Sequence, residues 1–253
     1  MNFIDTQVIS YVYSGKKKID IENKSASSVA ISEFLKMYIP NNYTSARFYP
    51  RVASNLFQQF IHVPRSMITD KKHNKFAKRR TDQIVVNLNG NYPSFIEFGS
   101  LALHFAFKNK NKSILLNSMT HLEKNEIKEI SDKISFLFDR NIICVPLSSD
   151  AIETMLVTLS MVDKEICFKN NFRNSINDLF IASTAFVNNT PLVTEDKLLN
   201  KIIAKHLKVK ITKIDDEIIE MITDDELKIK EFRRNEAKGY INRGWQYKMI
   251  NGC

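Results

Sequence analysis

Between residues 141 and 214, short apolar runs alternate with helical ones, and this alternation constrains the fold more than any other feature of the chain. "NIICVPL" (141–147), "PLVTED" (191–196) and "KVKITKI" (208–214) read as strands. "SDAIETMLVTLSMV" (149–162), "NDLFIASTAFVNN" (177–189) and "KLLNKIIAKH" (197–206) read as the helices between them. Parallel neighbours need a crossover, so strand and helix in turn argue for a parallel sheet covered by helices on both faces. The 177–189 helix is apolar nearly all round and is expected to be buried.

The first forty residues continue the pattern. "NFIDT" is a short apolar strand running into an acid and a hydroxyl, and "TQVISYVY" is a helix stopped by Gly15. "SSVAISEFLKMYI" alternates briefly and then turns helical, which places Glu33 at a helix start; Pro40 closes the segment. From 41 to 91 periodicity is poor. "SFIEFGSLALHFAF" (94–107) reads as one buried helix. "THLEKNEIKEISDKISFLF" (120–138) reads as another, with Thr120 and Glu123 at capping-box spacing. The expected division is an α/β core over 1–40 and 141–214, a basic and largely helical insertion over 41–140, and a C-terminal extension over 215–253.

Composition narrows the partners. The chain has 253 residues and a formal charge of +9. The basicity is regional: nine Lys and Arg face two acids over 41–91, and seven face two over 227–253, whereas 213–226 holds seven acids and one lysine. Local positive charge of this kind favours a polyanion. Three widely spaced cysteines, with no Cys-x-x-Cys, argue against a disulfide framework or a zinc knuckle and fit a reducing cytoplasm. No signal peptide or membrane span is expected.

Four acids fall where ligands gather in a parallel α/β sheet, at strand ends and the helix starts that follow. Asp5 closes the first strand and Asp196 the "PLVT" strand; Asp178 and Glu33 sit near helix starts. Carboxylates at close range raise one another's pKa, and a hard divalent cation removes that conflict; an all-oxygen ligand set suits Mg²⁺ or Mn²⁺. Each acid also has an ordinary reading. Ser175 and Asp178 have the spacing of a capping box, Asp196 fits a strand-end turn, and Glu33 fits a first-turn acid favoured by the helix dipole. Thr6 and Thr194 are candidates to orient the neighbouring aspartates, and Asn177 to hold a phosphate or water; a strand-end threonine and a first-turn amide are equally ordinary.

"FIDTQVISYVYSG", "SSVAISEFL", "IICVPLSSDAIETMLVTLS" and above all "NDLFIASTAFVNNTPLVTEDKLL" together resemble the PIN-domain nucleases, including toxins of the VapC type. The resemblance covers roughly residues 1–40 and 141–214. It implies a three-layer α/β/α fold and a metal-dependent ribonuclease whose four acids are Asp5, Glu33, Asp178 and Asp196, holding Mg²⁺ or Mn²⁺. Two positions depart from the family pattern: Gln7 stands where Asn is common, and Leu198 where many members carry a further Asp.

The resemblance does not reach most of the insertion. There, Lys71, Lys72, Lys75, Lys78, Arg79 and Arg80 crowd around Phe76. A nucleic-acid contact loop and a solvated charge run are the two readings, the first favoured by the nuclease-like core. In the tail, Arg233, Arg234 and Trp245 fit stacking on single-stranded bases or docking onto the domain itself. The leading expectation is an endoribonuclease, with an antitoxin as a further partner if the VapC likeness extends that far. The alternatives are a catalytically silent RNA-binding module and a nuclease acting on DNA, single-stranded DNA included. The oligomeric state stays open, a homodimer among the options.

Overall fold

The structure, a computed structural model, describes residues 2–36, 82–87, 95–116, 119, 122–162, 172–207, 211–212, 218–219 and 246–248. Strand β1 (Phe3–Ile4) leads into helix α1 (Thr6–Tyr13), and β2 (Ser25–Ser27) into α2 (Ser28–Phe34). Next come β3 (Gln83–Asn87), β4 (Phe95–Phe98) and helices α3 (Ser100–Lys108), α4 (Lys112–Leu116) and α5 (Lys124–Asp139). Then follow β5 (Ile143–Val145), α6 (Ser149–Val162), α7 (Phe172–Val187), β6 (Leu192–Val193) and α8 (Lys197–Ile202), which runs into a π-helical turn, Ile203–Leu207. Strands β7 (Ile211–Thr212), β8 (Ile218–Ile219) and β9 (Gln246–Lys248) complete the order.

The main sheet runs β5-β2-β1-β6-β7-β8. Its first five strands are parallel, with Phe3 opposite both Ser25 and Leu192; β8 closes one edge antiparallel to β7. The fold is thus α/β, as the strand–helix alternation requires. From β1 the chain moves to β2 and β5 on one side, whereas β6 and β7 lie on the other. The β1/β6 boundary is therefore the switch point of the sheet, the place where ligands gather in open α/β sheets. Helix α7 is buried from Ile176 to Ala185 except at Asp178, in keeping with its nearly continuous apolar surface.

Several expectations are corrected. Residues 94–107 are not one helix: Phe95–Phe98 is a strand paired antiparallel with Gln83–Asn87, and Gly99, at φ +73°, turns the chain into α3. That left-handed conformation is one glycine adopts without a Cβ clash. The start of α5 is Glu123 rather than Thr120, with Glu126 accepting the Glu123 N–H (2.8 Å); the Glu123/Glu126 pair takes the box three residues later. Thr120 lies outside the described residues. Helix α2 starts at Ser28, because Ser27 Oγ accepts the Ala30 N–H (3.0 Å), so Glu33 stands in the last turn, not the first. Helix α7 starts at Phe172, so Asp178 lies in its second turn and Ser175 is no N-cap. The strand at 208–214 is not the last of the sheet, since β8 follows it.

The described part of the stretch expected as an insertion is not a surface appendage, and it contains strands as well as helices. Ile84, Val86, Leu103, Ala106, Phe107, Ile130, Ile134 and Leu137 belong to the same apolar core as Phe3, Ile9, Ile31 and Phe180. Polar ties fasten it as well. Ser100 Oγ shares a hydrogen bond with Ser28 Oγ (2.8 Å) and accepts the Leu147 N–H (2.9 Å), and His104 Nδ1 donates to the Cys144 carbonyl (2.8 Å). A second sheet, β4-β3-β9, links this stretch to the C-terminal extension. No helix among the described residues is long and apolar enough to cross a membrane.

Candidate functional site

Asp5 follows β1 directly and is the N-cap residue of α1, with its side chain left over from capping. It is 4% exposed. Its backbone N–H donates to the Val193 carbonyl (3.2 Å), so the β1–β6 ladder fixes its place. Thr194, fully buried, is a relay between two acids: its Oγ1 donates to Asp5 Oδ2 (2.8 Å) and accepts the backbone N–H of Asp196 (3.1 Å). Asp196 in turn caps α8, accepting the Leu199 N–H at Oδ1 (2.9 Å). The turn-residue reading of Asp196 and its place beside Asp5 therefore hold together.

Glu33 is held from two other elements. Thr6 Oγ1 donates to Oε2 and Asn177 Nδ2 donates to Oε1, both at 2.9 Å. Its position near the C-terminus of α2 rules out the favourable-dipole reading, since that end carries partial negative charge. Lys36, one turn on, lies 3.9 Å from Oε1 with only 11% of its side chain exposed. The i, i+3 spacing of Glu33 and Lys36 is a sequence signal for this pair that a search for acids alone passes over. Asn177 is buried, and its Oδ1 has no protein partner among the described residues; an orphaned buried acceptor calls for a donor or a cation.

Asp178 completes the group. Burial raises its carboxyl to about 8, reinforced by the charges of Asp5, Glu33 and Asp196. Burial likewise pushes Asp5 up to about 6, against the hydrogen bonds from Thr194 and the Thr6 backbone and with added repulsion from Glu33 and Asp196. The four acids thus feel one another across β1, α2, α7 and the β6–α8 turn. The structure brings together Asp5, Glu33, Asp178, Asp196, Thr6, Asn177 and Thr194. It says nothing of Lys71, Lys72, Lys75, Lys78, Arg79, Arg80, Arg233, Arg234 or Trp245, which lie outside the described residues.

The donor chemistry fits a hard divalent cation: oxygen ligands, two acids whose ionisation is suppressed by burial and then by neighbouring charge, and a buried amide oxygen seeking a partner. The arrangement is looser than a finished coordination shell, because no three His, Cys, Asp or Glu side chains among the described residues already stand at metal-holding separation.

What the fold and site define is an α/β protein with a four-acid cluster at its sheet switch point. Beyond that class nothing narrows the identity: no family model matches the chain, and no curated protein or solved structure is significantly similar to it.

Replacing Thr194 by Val tests the relay. The variant removes a hydrogen bond from Asp5 and orphans the Asp196 N–H while keeping the side chain's shape. If the cluster holds a divalent cation, affinity for it is expected to fall about 10–100-fold in this variant, as when other outer partners of ligands are lost. Calorimetric titration with Mn²⁺ gives the number; unchanged affinity removes Thr194 from the site.

Proposed function

We propose that the protein is a Mg²⁺- or Mn²⁺-dependent endonuclease of PIN type that hydrolyses RNA phosphodiester bonds. The observation that carries the reading is the convergence of Asp5, Glu33, Asp178 and Asp196 from four separate elements onto one sheet edge, tied through Thr6, Asn177 and Thr194, where burial and then the neighbouring charges raise the carboxyls of Asp5 and Asp178. A protein gains nothing in stability by burying such a group, so a ligand that relieves it is the economical explanation. The resemblance of "NDLFIASTAFVNNTPLVTEDKLL" to the PIN nucleases supports the choice of RNA over DNA, and of three α/β/α layers for the core.

Asp5, Glu33, Asp178 and Asp196 would hold the cation. When bound, it supplies charge relief on phosphoryl oxygens and a more acidic water. Thr194 keeps Asp5 and Asp196 in register, while Thr6 and Asn177 aim the two oxygens of Glu33. Asn177 Oδ1, buried and without a protein partner among the described residues, is placed to accept a hydrogen bond from a water at the cluster. Burial keeps bulk water off Asp5 and strengthens each electrostatic contact there.

The test is cleavage of end-labelled single-stranded RNA and single-stranded DNA, with Mg²⁺, Mn²⁺ or chelator, wild type beside Asp5→Asn. Cation-dependent RNA cleavage that vanishes in Asp5→Asn is expected. Activity in chelator, or an active Asp5→Asn, defeats the proposal; RNA binding without cleavage points to the silent module.

A further inference from the structure

We infer that the face of α1 bearing Gln7 and Tyr11, with Lys16 and Lys17 in the turn beyond it, is a contact surface for single-stranded nucleic acid that leads into the acid cluster. The inference deepens the proposed function and rests on it for the nature of the partner. Gln7 and Tyr11 are four residues apart and share one side of the helix. Gln7 Nε2 donates to Tyr11 Oη (2.8 Å), which pins the edge of the ring. Gln7 Oε1 is buried and has no partner among the described residues.

Two cations already occupy the ring. The ammonium groups of Lys16 and Lys17 each stand 5.9 Å from the Tyr11 centroid. Lys17 is also paired with Glu195, the residue between Thr194 and Asp196. Lys17 therefore joins the Tyr11 ring to the β6–α8 turn, next to Asp196. Aromatic planes flanked by lysines are how proteins take single strands: the base stacks on the ring and the ammonium groups move to adjacent phosphates. Here the lysines cover the ring when no strand is present. Lys17 must leave Glu195 to reach a phosphate, so Glu195 sets a threshold that a polyanion overcomes and a lone small anion does not.

The experiment measures binding of a short fluorescein-labelled single-stranded RNA by anisotropy in chelator, where cleavage cannot contribute. Tyr11→Leu is expected to weaken binding about tenfold, and Tyr11→Phe, which keeps the ring, to retain it. Lys16→Gln and Lys17→Gln are each expected to flatten the log–log salt dependence by about 0.7. The decisive arm uses RNAs carrying one abasic position, moved along the strand. One such RNA should bind wild type as weakly as intact RNA binds Tyr11→Leu, with no further loss when the two changes are combined. Equal binding by wild type and Tyr11→Leu overturns the inference. So does an oligoglutamate peptide that competes fully while Tyr11→Leu changes nothing, because the surface then takes acidic peptide. Tyr11-dependent binding without any cleavage supports this surface and counts against the nuclease reading; cleavage with unaltered binding in Tyr11→Leu does the reverse.

Discussion

In chelator at pH 8, the Asp178→Asn protein is expected to be more stable than wild type and, under the proposed function, to leave RNA uncut when Mn²⁺ is restored. Both outcomes come from one carboxyl. Its folded pKa is about 8 against an ordinary value of 3.8, mainly through burial and then through the charges of Asp5, Glu33 and Asp196. A folded state that holds the proton while the unfolded state releases it loses stability as pH rises, from about pH 4 up to about pH 8, and is level above that. Four pKa units would be on the order of 5 kcal/mol if Asp178 acted alone, an upper bound because the four acids titrate together. Half of that still raises the melting temperature of the Asn variant by about 5–10 °C at pH 8. Below about pH 4 the two proteins should melt together. Melting curves across this range, with and without Mn²⁺, check the claim. If the difference between variant and wild type is flat with pH, Asp178 is not held in the field of the other acids. Because Asp178 stands in the second turn of α7, no lost cap confuses the comparison.

Asp82→Ala gives the largest loss of stability expected outside the apolar core. Asp82 is 4% exposed, and its two carboxylate oxygens accept the N–H groups of Leu101 (2.8 Å) and Ala102 (3.0 Å) at the start of α3. Alanine leaves both donors buried and unpaired, at about 1–3 kcal/mol each. Burial holds the Asp82 carboxyl above its ordinary range, so removing the charge returns part of that cost. A net loss of about 3 kcal/mol corresponds to a drop of about 6–12 °C in melting temperature for a chain of this size. Because Ser100 opens α3 and touches both Ser28 and Leu147, the damage should spread to the main sheet and be seen as one cooperative transition. A separate early transition would mean that β3, β4 and α3 fold as an independent unit.

Strands β1, β5, β6 and β7 were legible because each lies in a short apolar run with an acid or a turn after it, and this is why Asp5 and Asp196 could be placed at strand ends. Helix starts were harder. In "SASSVAI" three serines offer themselves as caps, and only the bond from Ala30 to Ser27 decides that the helix begins before the apolar run ends. The start of α7 hides in the polar "FRNS", so its second turn looked like its first. In 94–107 the apolar count alone suits helix or strand, and the glycine at its centre was the only sign of a break. The ties that join the acids across elements are not local. Thr6 to Glu33, Asn177 to Glu33 and Thr194 to Asp5 join residues 27, 144 and 189 positions apart, and no window of sequence contains them.

That last separation bears on how the protein is made. Strand β1 leaves the ribosome well before β6, and its β6 edge stays open until Leu192 and Val193 are synthesised. At about 5–20 residues per second the wait is roughly 10–40 s, long compared with the formation of a helix or hairpin. Throughout that interval Asp5 has neither its ladder partner nor the Thr194 hydroxyl. The cluster therefore cannot assemble on a nascent chain that has not reached Thr194, and translation products truncated before it carry Asp5 without these partners.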